Sequence, residues 1–392
     1  MVGDESIRSA KYGISYAFMP ILSYIFSAIF MRLLDTFSNS FSSLVTYARL
    51  VSVLSITVYA FFCIKISEKL FNGIYRWLFI VLSILLPQLL YLGSYINNDS
   101  MALLSISIII FSWIIGLEEK WNWKSCILLG IGIGICSMAY YNAYGYILTS
   151  VILYFYTCFK KKINIKEFFK KGITIAGIAI LIGGWWFIRS FILYDGDIFA
   201  IKTQREFGQK YAIEELKPSN RTTPANQGEK LLHMLTKRGW IDITTKSFIG
   251  YFGWMSVLMN PLIYNIYITI GIIGILGIVI GCIMNLKNKK KDNLENEVKF
   301  NEKILKLIFI VNIFITILLS IYYSYNMDYQ PQGRYLMPMV IPFMYFITNG
   351  IKNILDIIIK NDKIKNILIL IFIAILIIIT TYVLFKYVII AL

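Results

Sequence analysis

Runs of about 20 apolar residues, separated by short lysine-rich clusters, recur along almost the whole chain. A helix rises about 1.5 Å per residue, so a run of that length matches the ~30 Å hydrocarbon core of a bilayer. Such runs fall near 44–64, 77–96, 100–116, 125–141, 145–159, 172–194, 260–284, 304–325, 335–351 and 366–390, with a further one at 13–34. They are continuous and do not alternate with period two, so helices are expected and barrel strands are not. Tyr140, Tyr141, Asn142, Tyr144 and Gly145 leave open whether 125–141 and 145–159 form one broken helix. Composition agrees with the pattern: 58% of the residues are hydrophobic and 15% charged, too apolar for a water-soluble domain, and 16% aromatic, too aromatic for disorder. The expected fold is an all-α integral membrane protein of about ten or eleven transmembrane or membrane-embedded helices with one long external loop.

The net charge of +16 would suit nucleic acid if it formed one patch. It does not. Lys65, Lys69 and Arg76 form one cluster, Lys120 and Lys124 a second, and Lys160, Lys161, Lys162, Lys166, Lys170 and Lys171 a third. A fourth lies from Lys287 to Lys306 and a fifth from Lys352 to Lys365. These alternate with weakly charged loops, which is the positive-inside signature of cytoplasmic loops, and no nucleic-acid partner is expected. The opposite face then holds 35–43, 97–99, 142–144, 195–259 and 326–334. The expected organisation is an external or juxtamembrane segment at 1–43, a transmembrane core at 44–194, an external loop at 195–259 and C-terminal helices at 260–392. Whether 13–34 crosses or lies along the outer surface is left open by charge alone. The five cysteines lie in apolar runs without a CxxC pair and the only histidine is His233, so neither a disulfide framework nor a metal site is expected.

Polar residues that interrupt the apolar pattern collect on the outer side. Asn97, Asn98, Asp99 and Ser100 separate two runs, and a carboxylate at that level is costly unless hydrated, paired or bound. Capping of the next helix would also account for them. Arg189 follows Trp185 and Trp186 in an apolar stretch. Gln332, Gly333, Arg334 and Tyr335 enter another run through a Gly- and Pro-bearing loop, where Arg334 offers multidentate donors for phosphate or a partner for Asp328. Within 195–259, the stretch Lys217 to Asn226 reads as mobile loop and His233 as a surface residue.

Four motifs in this order, Tyr95-Ile96-Asn97-Asn98-Asp99, Trp186 to Asp197, Phe248 to Trp254, and Gln332-Gly333-Arg334-Tyr335-Leu336-Met337-Pro338, resemble a broadly distributed branch of bacterial GT-C-type glycosyltransferases. The resemblance implies a multi-pass enzyme of the bacterial plasma (inner) membrane with an outward-facing site. Such an enzyme transfers a sugar from a polyprenyl-phosphate donor, held among membrane lipid, to a saccharide, glycolipid or cell-wall acceptor. It implies that Asp4 and Glu5 resemble the acidic pair after a first transmembrane helix, with Asp4 as base and Asp99 as an aid to the acceptor or a metal. Arg334 and Arg189 would clamp the lipid phosphate, with Asn98, Gln332 and Tyr335 beside them. A divalent cation is compatible with the resemblance, but no spacing of ligands demands one. No apolar run precedes Asp4, so about 20 apolar residues are expected to be encoded upstream of Met1. A polysaccharide polymerase or ligase, and a lipid-linked saccharide flippase or transporter, are the alternative functions.

Overall fold

A computed structural model of the chain describes residues 18–287 and 296–392. Helix α1 (Leu22–Leu34) lies against α2 (Phe41–Leu70), which Ser40 caps by accepting from Ser43 N. Next come α3 (Ile74–Ile84), α4 (Pro87–Leu92), α5 (Asp99–Glu118), α6 (Trp123–Ser137) and α7 (Gly145–Lys160). Helix α8 (Ile165–Leu193) runs through one π-helical turn at Ile180–Gly184. Outside the bundle lie α9 (Ile201–Tyr211), α10 (Leu231–Thr236) and α11 (Trp240–Gly250), followed by a tight antiparallel hairpin of β1 (Tyr251–Phe252) and β2 (Val257–Leu258). Helices α12 (Pro261–Lys287), α13 (Asn296–Asn326), α14 (Val340–Ile358) and α15 (Asp362–Val383) complete the chain.

Among the described residues, six helices are long and apolar enough to cross a membrane: Phe41–Leu70, Asp99–Glu118, Ile165–Leu193, Pro261–Met284, Glu297–Asn326 and Asp362–Ala391. Helix α5 is the central one, buried on nearly every face. The outer helices instead leave large apolar side chains exposed, including Leu181, Leu318 and Ile378. A surface of that kind is stable against lipid and would be unstable against water. Helices α12 and α14 approach so closely that a Cβ on Gly350 would overlap the Gly274 carbonyl. Lipid offers no hydrophobic drive to pair helices, and close backbone contact between small residues supplies the packing in its place.

Two chemically different ends result. At one, Lys69 meets Glu118 at 2.5 Å, Lys161 meets Glu297 at 3.1 Å, and Asn301 donates to the Leu117 carbonyl at 2.9 Å. Lys365 and Tyr75 both reach Asp356 there, so the sequence's basic clusters gather on one face of the bundle. The other end holds the long loop. Trp240 Nε1 donates to Ser324 Oγ at 2.9 Å, Tyr325 OH to the Glu229 carbonyl at 2.6 Å, and Tyr329 OH to the Arg238 carbonyl at 2.7 Å.

Three expectations are sharpened. The residues around Tyr140 form a 3-10 turn at Tyr141–Ala143 between two separate helices, so 125–141 and 145–159 are not one broken span. Helix α1 has 13 residues, about 20 Å, which falls short of the ~30 Å core. The stretch 217–226 is an anchored turn: Thr223 is buried, its Oγ1 accepts from Asn226 N, and Ala225 N donates to the Tyr325 carbonyl.

Candidate functional site

The loop-bearing end contains a largely buried polar cluster, called the Arg334 crevice below, where three chain reversals meet. The first is the α4–α5 loop. Asn97 Oδ1 accepts from Ser100 N at 2.8 Å, and its amide donates to the carbonyls of Leu92 and Tyr95, both at 2.7 Å. Asn97 therefore supplies the cap of α5, which bears out the capping account for this loop, and Asp99 is the acidic residue of the first turn. Asn98 has a different job. Its side chain bonds the Pro20 carbonyl at 3.3 Å and accepts from Ser23 Oγ, tying the start of α1 to this loop.

The second reversal is the turn at Tyr140, and the third is the 3-10 helix Gly333–Met339. Gly333 is required by contact, because a Cβ there would sit inside the backbone of Phe248 on α11. That close approach seats Arg334 toward Asp99. Arg334 Nη2 donates to Tyr335 OH at 3.2 Å, and Tyr335 OH in turn donates to Gln330 Oε1. The Tyr335 ring stacks on Tyr140 at 6.3 Å between centroids and meets Tyr323 at 6.0 Å. Tyr95 lies beside the guanidinium, and Asp99 is within its electrostatic reach. Arg334 Nε is buried and finds no hydrogen-bond partner among the described residues.

Asp328, the partner the sequence allowed for Arg334, instead accepts from Gln330 Nε2 at 2.6 Å. The arginine is thus held by tyrosines and faces one carboxylate, Asp99, with which it forms no direct ion pair among the described residues. An arginine so placed retains donors for an anionic ligand. Gln332 takes part through its backbone, its carbonyl accepting from Tyr335 N at 3.2 Å. Tyr323, which the sequence reading passed over, became visible only through its packing on Tyr335.

Arg189 belongs elsewhere. Its guanidinium lies 4.7 Å from the Trp186 ring and 5.7 Å from the Tyr194 ring, and Nη1 donates to Tyr194 OH at 3.4 Å. Trp186 is buried under it, whereas Trp185 is exposed as an interfacial tryptophan would be. Asp197 is also occupied: Thr203 donates to it through both N and Oγ1, and Ile201 N through a further bond, closing the start of α9. Burial opposes its charge, but those hydrogen bonds outweigh it and hold the carboxyl below its usual pKa. His233 is an exposed residue beside Glu229, at 2.6 Å. Asp4 and Glu5 lie outside the described residues. Among the described residues no three His, Cys, Asp or Glu side chains gather as a metal site.

The fold is that of a multi-pass helical membrane protein, with a tyrosine-rich cluster around Arg334 at one end. The chain belongs to the DUF2142 family of predicted membrane proteins, whose model matches residues 7–344. That description assigns no reaction. Neither the curated proteins nor the solved structures contain a match to the chain.

Proposed function

We propose that this protein transfers a sugar from a polyprenyl-phosphate donor to a cell-envelope acceptor at the outer face of the bacterial plasma membrane. The observation that carries the reading is Arg334, bonded to Tyr335, with a buried Nε that has no partner among the described residues and Asp99 within its electrostatic reach, at the end of the bundle away from the basic clusters. In glycosyl transfer the acceptor oxygen bonds to the anomeric carbon as the bond from that carbon to the phosphate oxygen breaks. The acceptor proton needs a nearby carboxylate, and the departing lipid phosphate needs a cation. Asp99 supports the first role and Arg334 the second, while Tyr95, Tyr140 and Tyr335 hold the guanidinium and line the crevice. The exposed apolar flanks of the bundle suit a lipid-borne donor that arrives from the side.

The protein in proteoliposomes, given a polyprenyl phosphate bearing a radiolabelled sugar together with an envelope extract, should move label from the lipid phase to the acceptor fraction. Label that remains with the lipid under conditions where the protein is folded contradicts the reading.

A further inference from the structure

Arg49 is a charge inside the first long apolar helix, α2, and the crevice described above does not account for it. A charged side chain in a membrane-spanning helix is costly unless it is paired, hydrated or put to use. Its described hydrogen bond runs from Nη2 to the main-chain oxygen of Leu392, the last residue of the sequence, at 3.2 Å, and no Asp or Glu pairs with it among the described residues.

Its depth and direction are informative. Arg49 stands 21 residues before Leu70, the end of α2 at the basic face, which places it about 30 Å from that face. That is the thickness of the hydrocarbon core, so Arg49 falls at the level of the opposite headgroups. It also lies seven residues, two helical turns, from Ile56, and therefore on the same face of α2. Ile56 packs against Gly93, where α4 gives way to the loop that carries Tyr95 and Asp99. Tyr91, two residues earlier on α4, lies within electrostatic reach of both Arg334 and Arg49. Its ring meets Tyr95 at 4.8 Å and its hydroxyl donates to the Gly253 carbonyl at 3.4 Å.

We infer that Arg49 is a second phosphate-binding cation, on the membrane side of the Arg334 crevice, which receives the phosphate of the lipid donor at headgroup level. The inference rests on the proposed donor class. Tyr91 and Tyr95 are in ring contact, with Arg334 in reach of both and Arg49 in reach of Tyr91, so a lipid phosphate can be held by one guanidinium as its sugar reaches the other. A lone phosphate in water gains little here. A phosphate anchored by a lipid chain arrives at the right depth.

The test is binding and needs no turnover. Nanodiscs holding wild-type, Arg49→Gln or Arg49→Lys protein are titrated with polyprenyl phosphate, with phosphatidylglycerol and with inorganic phosphate. Arg49→Gln should weaken polyprenyl-phosphate binding about tenfold, with Arg49→Lys intermediate because charge survives without the planar fork. Phosphatidylglycerol and inorganic phosphate should bind weakly to all three proteins. Unchanged polyprenyl-phosphate binding in a folded Arg49→Gln protein overturns the inference, as does an equal loss of phosphatidylglycerol binding, which reduces Arg49 to a general headgroup contact. Arg49-dependent binding without any sugar transfer would sustain the inference and remove the proposed reaction.

Discussion

Asn97 Oδ1 receives the Ser100 backbone N–H at 2.8 Å, so the side-chain cap of α5 comes from Asn97 and not from the neighbouring Asp99. The two residues can therefore be separated by mutation. Asn97→Ala should cost about 1 kcal/mol of stability through loss of the cap. Asp99→Asn should leave thermal stability near wild type and reduce sugar transfer by at least about a hundredfold. Thermal unfolding in detergent and transfer assays on both proteins check the split. Normal turnover in Asp99→Asn would remove the carboxylate from the chemistry.

Gly333 is the contact that seats Arg334. A methyl group there must displace the backbone of Phe248, so Gly333→Ala should destabilise by about 1–3 kcal/mol, the usual cost of overpacking. It should also move Arg334 away from Asp99. Melting temperature and phosphate-lipid binding should fall together; a variant that keeps both would show the approach of α11 to the 3-10 helix to be dispensable.

Asp197 supplies a pH dependence in the loop. Its carboxyl is held below the ordinary value of about 3.9 against a partial burial penalty, because Thr203, Ile201 and Lys202 donate to the charged form. A depressed folded pKa stabilises the start of α9 above the unfolded pKa, and that contribution is lost as pH falls through the folded pKa. Hydrogen-exchange protection over 198–211, corrected for the pH dependence of intrinsic exchange, should therefore be flat near neutral pH and fall below about pH 4. In Asp197→Ala it should already be lowered at pH 7. Equal protection of the two proteins at pH 7 would contradict the role.

The orientation follows from the lysine clusters gathered at one end. Cysteine placed at Glu215, on the exposed loop, should react with a membrane-impermeant thiol reagent in intact cells. Cysteine at Lys166, in the first turn of α8, should react only after permeabilisation. The reverse pattern would put the Arg334 crevice on the cytoplasmic side and remove a lipid donor of the outer leaflet.

The parts of this molecule that were readable from sequence share a physical cause. Helical runs are local, and so is the alternation of basic and neutral loops, which the contacts of Lys69, Lys161 and Lys365 turn into one face. The facing of Asp99 and Arg334 is not local: 235 residues separate them in the chain, and only the meeting of three reversals brings them together. Arg189 looked equivalent to Arg334 because both flank outer loops. Trp186, three residues earlier on the same helix face, was the available sign that an aromatic cage would engage it. Tyr323 and Arg49 stayed hidden inside apolar runs, where a single polar residue barely changes the average.

Arg334 is where the whole account can be tested. In proteoliposomes charged with polyprenyl phosphate bearing a radiolabelled sugar, Arg334→Ala should lower transfer by about a hundred- to a thousandfold, the scale of losing one preorganised donor to developing charge. Arg334→Lys should recover part of that loss, because charge returns without multidentate geometry. Full transfer by a folded Arg334→Ala protein would contradict the account.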